Sequence, residues 1–201
     1  MKIVRLNHSH WNDIETLYFE CQSGILERKE KQFTAKLEDS DIKSMEKVWQ
    51  LWKAGIQRYY LNDDDYHYLY GCYDKKRLIT ILGWRCDLPE PYHTDWIIAW
   101  MRSSPSVTAT NKSLPLLWRK MFELCEERGL EKWHAIVTKN RFRKFDAFER
   151  RYTPDIHERY HYETTVDIPA GSKPPLDWVW SMMGRSILTE DKEVRTGTRI
   201  K

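Results

Sequence analysis

The 201-residue chain sets 33 basic against 30 acidic side chains, a net charge of +3. So balanced a surface is not that of a dedicated nucleic-acid binder. Apolar residues make up 41% and aromatic residues 13%, with ten Trp and eleven Tyr, which supplies a packed core and excludes a disordered chain. No window approaches the roughly 18 uninterrupted apolar residues of a membrane helix. Met1–Leu6 runs into polar residues rather than an apolar leader. Cys21, Cys72, Cys86 and Cys125 form no CxxC pair, which argues against a zinc ribbon and points to a reduced, cytoplasmic setting.

In chain order, Lys2–Leu6 alternates as a short strand, and Ser9 is the expected cap of a helix carrying Trp11, Ile14, Leu17, Tyr18 and Cys21 on one face. Ser23–Glu38 is polar and weakly patterned. A second helix carries Ile42, Met45, Val48, Trp49 and Trp52. Tyr66–Tyr73 and Leu78–Arg85, separated by Asp74-Lys75-Lys76-Arg77, read as a hairpin. After the break at Leu88-Pro89-Glu90-Pro91, Asp95–Met101 reads as a buried strand and Arg102–Lys112 as a loop.

The strongest helical signal follows. Leu114, Leu117, Trp118, Met121, Leu124 and Cys125 share a stripe, with Ser113 as the expected cap, Pro115 in the first turn and Gly129 as the stop. Trp133–Val137 is a strand, and Arg141–Arg151 a basic helix carrying Phe142, Phe145 and Phe148. Arg159–Ile168 is a further strand. The chain changes character beyond Pro169, and Thr189–Lys201 is expected to be a loose charged tail. The strand–loop–helix–strand unit from Thr94 to Thr138 thus anchors an α/β domain.

This order, with a hairpin and a strand before one long central helix, resembles the GNAT N-acetyltransferase superfamily over Met1–Ile168, leaving 169–201 as a C-terminal extension. The resemblance implies a mixed, mainly antiparallel central sheet flanked by helices (α/β, or α+β). It also implies acetyl-CoA as cofactor and a small-molecule or peptide amine as acceptor. The aromatic-rich sequence also resembles divergent members of the phage type.

The family's signature is Gln or Arg, two residues, Gly, one residue, then Gly or Ala. Placed at Thr108-Ala109-Thr110-Asn111-Lys112-Ser113, it loses both glycines. The resemblance makes Thr108, Thr110, Asn111, Lys112 and Ser113 the pyrophosphate cradle, and places the thioester against the backbone near Ile98 and Trp100. Asn140 opens the final helix as in the family. Phe148 stands where the family has its general-acid Tyr, and Tyr152 one turn on is the substitute. Asp95 and His134, with His67 and Tyr68 behind them, are the candidate bases.

Other patterns carry less. His8/His10 and His157/His161 lack a third ligand at metal spacing. Asn62-Asp63-Asp64-Asp65 lacks the Gly and Glu of a calcium loop. Lys139–Phe145 mixes cations and rings as a coenzyme phosphate or a nucleic acid would require, and equally as a solvated amphipathic helix does. The rival function is a GNAT-like domain that has lost catalysis and serves as a binding protein. A homodimer is allowed, with no sequence support beyond Trp178 and Trp180.

Overall fold

The computed structural model describes residues 1–21, 46, 49–50, 52–62, 64–85, 100–103, 107–138, 147, 149–170 and 191–201. Strand β1 is Lys2–Arg5. A 3₁₀ turn, His8–His10, follows and runs into helix α1, residues 11–21. The cap is Asn7 rather than Ser9: its Oδ1 accepts from the Ser9 backbone N–H at 3.0 Å, and His10 closes the box onto the Asn7 backbone. Helix α2 is seen at 49–50 and 52–55 and passes into a π turn, Ile56–Tyr60.

Strands β2 (His67–Asp74) and β3 (Arg77–Arg85) form the expected hairpin. β4 is Trp100–Ser103, α3 is Val107–Glu127 and β5 is Lys132–Thr138. α4 is seen at 149–152, followed by a short α5, Pro154–His157. β6 is Tyr160–Ile168 and β7 is Lys192–Arg199.

The strands make two antiparallel sheets, in the order β1-β2-β3-β4 and β5-β7-β6. The alternation of β2 and β3 supplies two apolar faces, as the pleat dictates. One carries Leu69 and Ile81 against Ile14, Leu17, Tyr18, Trp49 and Trp52 from α1 and α2. The other carries Tyr68, Cys72, Leu82 and Trp84 against Leu117, Trp118, Met121 and Phe122 of α3. Tyr73 ties α1 to the sheet by donating to Asp13 Oδ2 at 2.7 Å. Gly129, at φ +66°, ends α3 as expected: its N–H reaches the Glu126 carbonyl and the Leu130 N–H reaches that of Cys125. Among the described residues no helix is long and apolar enough to cross a membrane.

The end of the chain corrects the expectation of a loose tail. β7 lies between β5 and β6 and pairs with both along their length. Its charged residues hid a strand whose β-branched positions Val194, Thr196 and Thr198 fall on one face. The expected Lys139–Phe145 basic run and Trp178/Trp180 lie outside the described residues.

Candidate functional site

β4 hydrogen-bonds to β3 and β5 to β7, so among the described residues each is the outer strand of its own sheet, and α3 is the connection between them. The start of this helix is where the sequence reading needs its largest correction. α3 begins at Val107, six residues before the expected Ser113 cap. Thr108, Thr110, Asn111 and Lys112 are therefore helical rather than a loop.

Ser113 is fully buried, and its hydroxyl shares a hydrogen bond of 2.5 Å with Thr80 Oγ1 on β3. A side chain committed to that contact cannot line a phosphate cradle. Pro115 stands inside the helix, where its missing N–H forfeits the bond to the Asn111 carbonyl. The cues at Ser113 and Pro115 mimic a helix start, but the tertiary contact with Thr80 gives the serine its place.

Backbone N–H groups without a helical partner belong to the first turn, which places them at 107–109. With the helix dipole they make an anion-attracting terminus that includes Thr108. Lys112 lies more than a turn further in and is exposed. Moved to this helix start, the family's signature spacing falls on Arg102, Pro105 and Val107. The arginine fits, and both glycine positions are again substituted. The signal that would have found this register was the Ser-Ser-Pro-Ser run before Val107, a stronger stop and start than Ser113.

Of the candidate chemical groups, Asp95, Ile98 and Asn140 lie outside the described residues. Trp100 opens β4, opposite Gly83. Tyr152 closes α4 on the surface, with the Arg151 guanidinium 5.2 Å from its ring centroid. α4 itself is fastened to α3 by the Trp118 indole, which donates to the buried Glu149 Oε1 at 2.5 Å. Trp118 belongs to the apolar stripe expected from sequence, whereas nothing local to Glu149 announces the contact.

His134 is third in β5, 6% exposed, with Nδ1 2.8 Å from Thr196 Oγ1 on β7. Of the other histidines, His8 and His10 share the 3₁₀ turn, while His157 in α5 stacks on Tyr162 and His161 belongs to β6. The last two therefore share no helix face.

His67 is also buried, at the start of β2, with Nδ1 2.6 Å from Asp64 Oδ2. The Arg5 and Arg128 guanidiniums stand 4.9 and 5.6 Å from the ring centroid of Tyr68 beside it. Burial alone would raise the Asp64 carboxyl. The bond to His67 and the backbone N–H groups of Tyr66 and His67 outweigh it and hold the group below its ordinary 3.8. A depressed folded-state value contributes stability that is complete above the unfolded value and lost as pH falls through the folded one. Asp64→Asn should therefore flatten the acid limb of urea stability below about pH 4. An acid limb as steep as that of the parent chain contradicts the assignment.

No family model matches this sequence, and no curated protein does. Solved structures do match. A probable acetyltransferase from Staphylococcus epidermidis ATCC 12228 superposes with a TM-score of 0.55 at 12% identity, covering 98% of both chains. The ribosomal-protein-alanine N-acetyltransferase of Brucella melitensis gives 0.55 at 11%, covering 98% of this chain and 99% of its own. An acetyltransferase of the GNAT family from Streptococcus pneumoniae gives 0.51 at 8%, covering 97% and 98%.

The chain has the GNAT fold. At such identities the likeness establishes architecture alone. Within the GNAT fold seen here, α3 joins the outer strands β4 and β5, and β7 brings Thr196 to His134.

Proposed function

We propose that the chain is an acyl-CoA-dependent N-acetyltransferase that transfers an acetyl group to a small-molecule or peptide amine. The observation that carries this reading is the separation of β4 from β5. Among the described residues the two do not pair, which leaves main-chain groups of β4 for a ligand, and α3 opens directly after β4. These features fit acetyl-CoA: first-turn N–H groups for an anionic phosphate, the cation of Lys112 on the same helix, and an extended edge for a linear amide-bearing arm.

When bound, acetyl-CoA supplies the activated thioester carbonyl. Thr108 and the neighbouring first-turn N–H groups would hold the phosphates, Asn140 is a further candidate contact, and main-chain groups near Ile98 and Trp100 would orient the carbonyl. Thr110 and Asn111 fall inside the helix, beyond its first three N–H groups. His134 accepts the proton of the acceptor amine at a ring nitrogen, with Asp95 as the second candidate base. Tyr152 holds a proton at its Oη for the departing sulfur.

The second reading, a binding protein without turnover, is favoured by the missing glycines at Pro105 and Val107 and by Phe148 at the family's tyrosine position. Release of free thiol from acetyl-CoA, measured against polyamines and peptides with N-terminal alanine, separates the two. Turnover that falls about 100-fold or more in His134→Ala is expected. Full activity in that variant removes His134 from the chemistry.

A further inference from the structure

We propose that Thr196 is a positioning residue for His134: its hydroxyl oxygen accepts Nδ1–H and so keeps the ring in the tautomer that carries no proton on Nε2. This inference rests on the acyl-transfer reading above and deepens it.

Thr196 and His134 are 62 residues apart and face each other across the β5–β7 ladder. Both are buried, at 1% and 6% exposure, and their polar atoms meet at 2.8 Å. Two residues along β7, Val194 is fully buried in the cluster that includes Leu6, Ile14 and Leu17. The imidazole therefore stands beside an apolar side chain, where a hydrogen bond from Nδ1 biases both ring orientation and tautomer.

The opposite face guards this pairing. Gly197 stands across from Trp133, and a Cβ on it would lie 2.3 Å from the indole Nε1. A slip of β7 by one residue would put a side chain into that ring and turn Thr196 to the other face. The strand read from sequence as a loose tail is thus the element that sets the ring of a candidate base.

The chemistry requires one polarity of this bond. A base that takes a proton at Nε2 must keep its own proton on Nδ1, and a hydroxyl oxygen is a suitable acceptor for it. With Thr196→Val the shape and β-branching remain while the acceptor is lost, and Thr196→Ser restores it.

The test combines nitrogen-15 NMR of the imidazoles, with His134 assigned through His134→Gln, and steady-state kinetics with acetyl-CoA and an accepted amine. The expected result is an Nδ1-protonated His134 in the parent chain. Thr196→Val should give a changed tautomer signal and kcat lowered about 10- to 100-fold at unchanged KM, with recovery in Thr196→Ser. A merely structural hydroxyl would move stability but not the tautomer. A parent His134 with its proton on Nε2, or a tautomer unchanged in Thr196→Val, overturns the proposal. So does turnover that survives His134→Gln. A parent chain with no turnover would sink the acyl-transfer reading, while the NMR signal still decides whether Thr196 holds His134.

Discussion

Chains that stop at Asp191 are expected to lose cooperative folding. β7 supplies the middle of the second sheet: Lys192–Thr198 pairs with β5 and Lys192–Arg199 with β6. Its removal strips two ladders at once and uncovers Trp133, His134 and Tyr160, all buried in the full chain. Each main-chain hydrogen bond contributes a net of about 0.5–1.5 kcal/mol, and burying Val194 about 1.5–3. Summed over the two ladders, such bonds plus that side chain become comparable to what most domains hold in reserve, about 5–15 kcal/mol. Far-UV circular dichroism through a urea titration checks this. The full chain gives one sigmoidal transition and the shortened chain none. A shortened chain with an unchanged midpoint would mean that the tail is dispensable, as a purely compositional reading of Thr189–Lys201 suggests.

The second large effect falls on Gly197. Glycine in a strand is ordinarily a weak point, and alanine would gain about 0.5–1 kcal/mol from backbone entropy alone. Here the added methyl would meet Trp133 at 2.3 Å from Nε1 and 2.4 Å from Cε2. The indole has little freedom to retreat. It stands edge-on to Trp118 at 5.5 Å, to Phe122 at 5.8 Å and to Tyr162 at 5.7 Å between ring centroids. Overpacking against a fixed ring reverses the sign, and Gly197→Ala should destabilise by about 3 kcal/mol. Paired with Trp133→Leu, the same substitution should cost far less, giving a coupling above about 1 kcal/mol in the double-mutant cycle. A neutral or stabilising Gly197→Ala, or strict additivity with Trp133→Leu, contradicts the contact.

These two expectations arise where the sequence was hardest to read. Among the described residues, three elements with a clear period stand where periodicity puts them. The stripe from Leu117 to Cys125 packs on the hairpin, the strands at Trp133 and Tyr160 form, and Gly129 closes α3 in the left-handed region. Local chemistry misled at the start of α3. Ser113 and Pro115 have the residue types of a cap and a first turn, yet Ser113 is held by Thr80, 33 residues away, and the helix continues back to Val107. β7 escaped because its alternate charges imitate a solvated tail, and only pairing on both edges makes them tolerable in a strand.

The site divides along the same line. His134 could be singled out as a titratable group on a strand. Its partner Thr196 could not, since nothing local to a threonine announces a contact 62 residues distant. Likewise the Trp118–Glu149 bond joins two helices through a carboxylate that sequence alone would place in solvent.

If this GNAT fold holds acetyl-CoA as proposed, the thermal midpoint with and without the cofactor reports it. A ligand that binds only the folded chain adds about 2.7 kcal/mol at a hundredfold excess over its Kd. In a chain of this size that raises the midpoint by about 5 °C or more. A concentration-dependent rise of that order is the expected result. A midpoint unmoved by millimolar acetyl-CoA would contradict the account.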